Sequence, residues 1–67
     1  MNSKAFGEIM RSERVRKGIT QAELARKSGF TREAVSYWEN GHKKISLENA
    51  DKLANTLGIE IIIGAKK

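Results

Sequence analysis

The sequence predicts an all-α fold of four to five short helices in a compact domain, followed by one short C-terminal strand. The 67 residues contain no proline and six glycines. Glycines at positions 18, 29, 41 and 58 divide the chain into helix-sized segments, and glycine commonly follows the last turn of a helix. Within these segments apolar residues recur at spacings of three and four, which is the period of an α-helix.

Composition limits the chain to one small domain without covalent or metal reinforcement. A chain of 67 residues supports a single small hydrophobic core, so marginal stability is expected. The chain has no cysteine and one histidine, which predicts neither a disulfide framework nor a metal site, and no cofactor is expected. A second subunit would compensate for the small core.

The charge of the chain favours a polyanionic partner. Its 13 lysines and arginines exceed its 8 aspartates and glutamates, which gives a net charge of +5. Such an excess suits nucleic acid or an acidic membrane surface, and charge alone does not distinguish the two. No apolar run resembles a secretory signal or reaches transmembrane length, so a cytoplasmic protein outside the membrane is predicted.

Hydroxyl side chains mark the starts of the first two helices. Ser3 is predicted to cap a helix that runs to about residue 17, with Phe6, Ile9 and Met10 as its inward stripe. In the segment TQAE, residue 20 precedes a glutamate by three positions, which is the spacing of a capping box. The second helix is therefore predicted at about residues 21 to 28.

Similar signals predict the third and fourth helices. Thr31 caps the third helix, which ends at Asn40. Val35 and Trp38 form its apolar stripe, so Trp38 is assigned to the core rather than to stacking on a base. Ser46 caps the fourth helix. The apolar residues of that helix lie at spacings of three and four: Leu47, Ala50, Leu53, Ala54 and Leu57.

The segment IEIIIG is predicted to form a strand at residues 59 to 64, because β-branched isoleucines favour extended backbone. The helices offer no partner for a single apolar strand, so two tails are predicted to pair antiparallel in a twofold homodimer. The alternative is a last helical turn that covers the core. The predicted strand divides the chain into a helical domain at 1–58 and a tail at 59–67. The predicted dimerisation residues are Ile59, Ile61, Ile62 and Ile63.

Helices two and three form the most specific pattern in the sequence, since two short helices joined by a glycine-containing turn make a helix-turn-helix. The segment ITQAELARKSGFTREAVSYWENGHKKISLENADKLANTLGI resembles the Cro and phage-repressor type of helix-turn-helix domain, the lambda-repressor-like or Xre family. The resemblance covers roughly residues 9 to 59, and TQAELA, the turn glycine and WENG carry it. It implies that helix three enters the major groove of DNA and that helix two begins on the phosphate backbone.

The starts of helices two and three supply the first predicted DNA contacts. Gln21 is expected to contact phosphate, because unpaired amides and the helix dipole favour an anion there. Thr31, Arg32 and Glu33 begin the helix that reads the bases. Arg32 is the leading candidate, because its guanidinium can bind guanine O6 and N7 together. A phosphate contact or a solvated side chain is the alternative for Arg32.

Three further residues on helix three are expected to face DNA. Glu33 departs from the neutral amide that many relatives carry at this position. It either accepts a hydrogen bond from cytosine N4 or steadies Arg32 and caps the helix, and the second interpretation is favoured. Ser36 and Tyr37 are expected to touch a base or a phosphate, with partial packing as the alternative for Tyr37.

The loop after helix three is predicted to follow the DNA backbone. Asn40, His42, Lys43 and Lys44 are expected to contact sugar and phosphate, which adds affinity without sequence preference. A catalytic or metal-binding role for His42 is disfavoured, since no cysteine or second histidine accompanies it.

The primary interpretation is a dimeric, sequence-specific transcriptional regulator that represses its own operon from an inverted-repeat operator in double-stranded DNA. The alternative is an antitoxin that binds and neutralises a toxin protein, because some helix-turn-helix antitoxins end in a similar strand. No constellation of nucleophile and base supports an enzyme. The resemblance also implies a structural ion pair between Arg14 and Glu39, behind the reading helix.

Overall fold

The computed structural model describes residues 3–59, which contain four α-helices. They are α1 (Ser3–Arg16), α2 (Gln21–Ser28), α3 (Arg32–Glu39) and α4 (Leu47–Leu57). The predicted all-α fold is confirmed, and none of the four helices is long and apolar enough to span a bilayer. Of the predicted dimerisation residues only Ile59 lies within the described part. The remaining three, Ile61, Ile62 and Ile63, lie outside it.

Hydroxyl caps start α2, α3 and α4 as predicted. Thr20 Oγ1 accepts a hydrogen bond from the Glu23 amide, and the Glu23 carboxylate accepts one from the Thr20 amide, both at 3.0 Å. This second bond holds the pKa of the Glu23 carboxyl below its ordinary value. Thr31 and Ser46 each accept a bond from the amide three residues later, both at 3.1 Å. These bonds satisfy amides that lack an acceptor within the first helical turn.

A left-handed glycine ends α2 and turns the chain back towards the core. Gly29 has a φ of 84°, a conformation that residues with a Cβ rarely adopt. Its amide and that of Phe30 both bond the Ala25 carbonyl at 2.9 Å, which closes the last turn of the helix. Phe30 consequently packs against the core. Gly58, with a φ of 74°, ends α4 in the same conformation.

The core lies where the inner faces of the four helices meet. Trp38 is half-buried at its edge, where its ring meets Phe30 edge to face with centroids 5.0 Å apart. The assignment of Trp38 to the packed side of α3 is therefore confirmed. The buried apolar residues are Phe6, Met10, Leu24, Ala25, Val35, Ala50, Leu53, Ala54 and Leu57.

Gly7 allows α1 and α3 to approach more closely than any other residue would permit. It is buried within α1, and a Cβ built on it would lie 2.3 Å from the Trp38 carbonyl oxygen and 2.8 Å from the Glu39 carbonyl oxygen. Both oxygens belong to the backbone of α3 and its last turn. The predicted glycine pattern marked helix ends and contained no sign of this contact between two helices.

Two apolar side chains that were predicted to face the core are exposed instead. Ile9 is 51% exposed, because α1 turns Phe6, Gly7 and Met10 towards the other helices and Ile9 lies on the uncovered flank. Leu47 is 58% exposed. It is the first residue of α4 and precedes the turns that pack on the core. Helical spacing alone did not separate these two residues from the buried ones.

Candidate nucleic-acid interface

A short turn sets the relative positions of the two helices that carry most of the predicted DNA contacts. Gly29 ends α2 and Thr31 caps α3, so Phe30 alone separates the two caps. Phe30 is held against the core, which fixes the turn. Leu24 of α2 and Val35 of α3 are buried on the inner side. The opposite side of α3 is therefore left towards solvent.

A buried carboxylate behind α3 joins three helices. The Glu39 side chain is 1% exposed and accepts hydrogen bonds from Arg14 Nε at 2.7 Å and from Arg14 Nη2 at 3.2 Å. Gln21 Nε2 donates a third bond to Glu39 at 3.0 Å. Arg14 Nη1 donates to the Ile19 carbonyl at 2.8 Å, which ties the loop between α1 and α2 to the same group.

This arrangement satisfies a charge that would otherwise be costly to bury. A buried carboxylate is stable only when its charge is paired and its lone pairs accept hydrogen bonds. Glu39 has both, and every buried side-chain nitrogen or oxygen within residues 3–59 has a partner. The ion pair between Arg14 and Glu39 is the one that the resemblance implied. The contributions of Gln21 and of the Ile19 carbonyl were not predicted, because nothing in the sequence places them beside residue 39.

The Gln21 side chain has a partner inside the protein. Phosphate contact was predicted from the unpaired amides at the start of α2, and the structure directs the side-chain Nε2 to Glu39 Oε1. The Gln21 backbone amide lies in the first turn of α2, where amides have no acceptor within the helix. Phosphate contact at this position stays a prediction, and the backbone amide is the group best placed to make it.

The start of α3 presents three of the predicted residues to solvent. Thr31, Arg32 and Glu33 are all exposed, and the Thr31 hydroxyl is engaged as the cap. Arg32 forms no hydrogen bond or ion pair with another described residue, so its guanidinium is available. Glu33 likewise makes no bond to Arg32 within residues 3–59. The favoured interpretation, in which Glu33 steadies Arg32, therefore finds no support in these contacts.

Tyr37, His42 and Lys43 come together where α3 gives way to the following loop. Tyr37 is 43% exposed. Lys43 Nζ lies 5.3 Å from the centre of its ring, within the range of a cation–π interaction. The His42 ring is 6.4 Å from the Tyr37 ring, and the His42 amide donates to the Tyr37 carbonyl at 2.9 Å. The loop is therefore held against the outward face of α3.

The remaining predicted residues extend the same exposed region. Ser36 is half-buried, whereas Asn40 and Lys44 are exposed. The Asn40 amide bonds the Ser36 carbonyl at 3.1 Å, which closes the last turn of α3. His42 belongs to no group of three or more histidines, cysteines, aspartates or glutamates that could hold a metal ion, as judged over the described residues.

Comparison with known proteins identifies the family to which this arrangement corresponds. A helix-turn-helix family model matches residues 10–63. A hypothetical transcription factor of Neisseria meningitidis serogroup B is 46% identical over 50 residues, which cover 75% of this chain and 47% of that protein. The chain thus spans about half the length of this curated relative.

Two solved structures have the same fold. The restriction-modification controller protein C.AhdI of Aeromonas hydrophila is 41% identical, with a TM-score of 0.82 over 87% of this chain and 88% of that one. HipB in a HipA-HipB-O2-O3 complex is 25% identical to this chain, with a TM-score of 0.82 over 100% of this chain and 94% of that one.

Proposed function

The chain belongs to the helix-turn-helix family, and we propose that it is a sequence-specific DNA-binding regulator of transcription. The observation that carries this proposal is the outward face of α3, where Arg32, Glu33 and Tyr37 are exposed and Ser36 is half-buried, while Glu39 anchors the helix from behind. The net charge of +5 supports a polyanionic partner. The protein acts in the cytoplasm by occupying DNA, and it catalyses no reaction.

In this proposal α3 enters the major groove and its first residues reach the base edges. Arg32 binds a guanine through two parallel hydrogen bonds, a contact that contributes about 1–3 kcal/mol of discrimination between bases. Thr31, Glu33, Ser36 and Tyr37 line the same face and contact neighbouring bases or phosphates. Support comes from the absence of an internal partner for the Arg32 side chain among the described residues.

Phosphate contacts flank the reading helix on both sides. On one side, the first-turn amide of Gln21 faces a DNA phosphate, and the positive end of the α2 dipole attracts the phosphate charge. On the other side, four exposed residues after α3 lie along the sugar-phosphate backbone: Asn40, His42, Lys43 and Lys44. Their contacts add affinity for any duplex and make binding dependent on salt.

The proposed functional unit is a homodimer on an inverted repeat. Two tails pair through Ile59, Ile61, Ile62 and Ile63, and each subunit presents one α3 to one half-site. A twofold dimer places its reading helices about 34 Å apart, which matches one turn of duplex. The promoter of the chain's own operon is the proposed site, where a bound dimer excludes the transcription machinery.

The experiment compares two basic residues with different proposed roles. The intact protein first selects duplexes from a random-sequence pool, and binding to the selected duplex and its single-base variants is then measured by fluorescence anisotropy at several salt concentrations. We expect Arg32→Ala to lose preference at one base pair in each half-site. We expect Lys43→Ala to weaken binding to every duplex and to reduce the salt slope by about one charge.

Lys52→Ala is the matched control, because Lys52 is an exposed lysine on α4 outside the proposed interface. Its affinity and salt slope should equal those of the unmodified protein. If the pool yields no preferred sequence, the proposal of sequence-specific binding is wrong. If Arg32→Ala loses the same factor of affinity on every duplex, Arg32 contacts the backbone and not a base.

The second candidate is an antitoxin whose main task is to bind a toxin protein. The similarity to HipB within a HipA-HipB-O2-O3 complex favours it, since the chain covers 94% of HipB there. Co-expression with the product of the adjacent reading frame distinguishes the two. A stable complex that relieves growth arrest by that product would favour the antitoxin, whereas repression of the operon without such a complex would favour the regulator.

A further inference from the structure

The outer face of α1 carries apolar side chains that no other described helix covers. We define this face by Glu8, Ile9, Ser12, Val15 and Arg16, which recur at spacings of three and four and therefore share one side of the helix. Ile9 is 51% exposed and Val15 is 59% exposed. The opposite side of the helix holds the buried core residues of α1, so the outer face points away from the rest of the domain.

Charges on this face are balanced and ordered about its centre. Glu8 and Arg16 lie four residues before and after Ser12, so each is about 6 Å from Ser12 along the helix axis. Arg16 bonds Glu13 of its own helix at 2.6 Å. Glu8 forms no ion pair with another residue in the described range 3–59.

From this order we infer that the outer face of α1 is a self-association surface for a second copy of the chain. The two α1 helices lie antiparallel across a twofold axis beside Ser12. That symmetry brings Glu8 of one copy level with Arg16 of the second copy, and Ile9 of one level with Val15 of the other. The same patch serves on both subunits, as a twofold interface requires.

The sizes and charges of the side chains on the outer face favour a second, antiparallel copy of α1 over a parallel copy or a polyanion. Ser12 is small, which lets two helix backbones approach at the centre of the contact. A parallel arrangement would place Glu8 against Glu8 and Arg16 against Arg16, which is repulsive. Within the face itself the charges of Glu8 and Arg16 cancel. The face therefore gives no attraction for a polyanion such as DNA or an acidic membrane, in contrast to the chain as a whole.

The position of this surface leaves the proposed DNA-binding residues free. α1 packs on α3 through its inner side, where Gly7 meets the backbone of residues 38 and 39. The outer face is on the far side of α1 from that contact. Two helices of 14 residues form a contact below the size of a standard stable interface. Association through α1 is therefore weak and needs high concentration, or neighbouring sites on one duplex.

Charge reversal tests the pairing directly in the full-length protein. Sedimentation velocity without DNA, from about 10 µM to about 1 mM, measures the association steps expected for a weak interface. Glu8→Arg and Arg16→Glu should each weaken the association step that uses the outer face of α1 by at least about tenfold, because each change brings like charges together. The double variant Glu8→Arg with Arg16→Glu should restore that step, since each pair is again opposite in charge. Helical content from circular dichroism should stay unchanged in all three.

The control variant, Lys52→Glu, changes an exposed charge on α4 and should leave the step unchanged. The proposal fails if the unmodified protein shows no association beyond any tail-dependent dimer, or if the single reversals leave association unchanged. It also fails if the double variant is as weak as the singles. Replacing Ile61 and Ile63 by lysine separates the two interfaces: the tail-dependent step should disappear while the step sensitive to Glu8 remains. None of these results depends on DNA binding, so the two proposals fail independently.

Discussion

Replacing Glu39 by glutamine should destabilise the domain severely. The substitution keeps the shape of the side chain but removes the charge that accepts two hydrogen bonds from Arg14 and one from Gln21. The Arg14 side chain is 13% exposed, so its guanidinium would remain largely buried without a counter-charge. Breaking a buried pair in this way costs about 3–5 kcal/mol. A domain of this size has a free energy of unfolding near the lower end of about 5–15 kcal/mol.

Thermal unfolding followed by circular dichroism measures this cost. One kcal/mol lowers the melting midpoint of a domain this small by about 4–8 °C, so we expect a fall of at least about 12 °C. Glu13→Gln is the matched control, because it breaks the exposed pair with Arg16 and should leave the midpoint unchanged. Replacing Glu39 and Arg14 together by leucine and methionine should cost less than the two single changes combined. A Glu39→Gln protein that melts like the control would refute the idea that the pair holds α1 against α3.

Two further predictions concern backbone contact and capping. Gly7→Ala should lower the melting midpoint despite the higher helix propensity of alanine, because its Cβ would meet backbone oxygens at 2.3 and 2.8 Å; a stabilised variant would contradict the close approach. The Glu23 carboxylate has a lowered pKa, so its capping contribution is present above its ordinary pKa and is lost as pH falls through the lowered one. Glu23→Gln should therefore melt with a smaller dependence on pH below 4.5, the ordinary pKa, in scans across acidic pH; an unchanged dependence would show that the carboxylate does not cap α2.

The helices and their ends were predictable because their causes are local. A capping hydroxyl, a glutamate three residues later and a left-handed glycine act within one or two turns, and the sequence states them directly. Thr20 with Glu23 and Gly29 therefore placed α2 at the residues where it begins and ends. Trp38 was placed on the packed side of α3 for the same reason, since its spacing from Val35 is helical.

Contacts between helices were less predictable because they depend on which side of each helix meets its neighbour. Ile9 and Met10 are adjacent in the sequence and equally apolar, yet one is 51% exposed and the other is fully buried. The rotation of α1 that separates them is set by Gly7, where the backbones touch. The role of Gln21 was missed for a similar reason. Its partner is 18 residues away, and no local pattern indicates that contact.

The network around Glu39 couples the two parts of the proposed interface. Gln21 begins α2, where the phosphate contact is proposed, and Glu39 ends the helix that is proposed to read the bases. Their hydrogen bond fixes the distance between these parts before DNA is present, so binding does not have to order them. Loss of this bond would change the spacing between phosphate and base contacts for every sequence alike. In this proposal the energetic effect of Gln21 comes from the orientation of the two helices, whereas discrimination between sequences comes from Arg32 and its neighbours on α3.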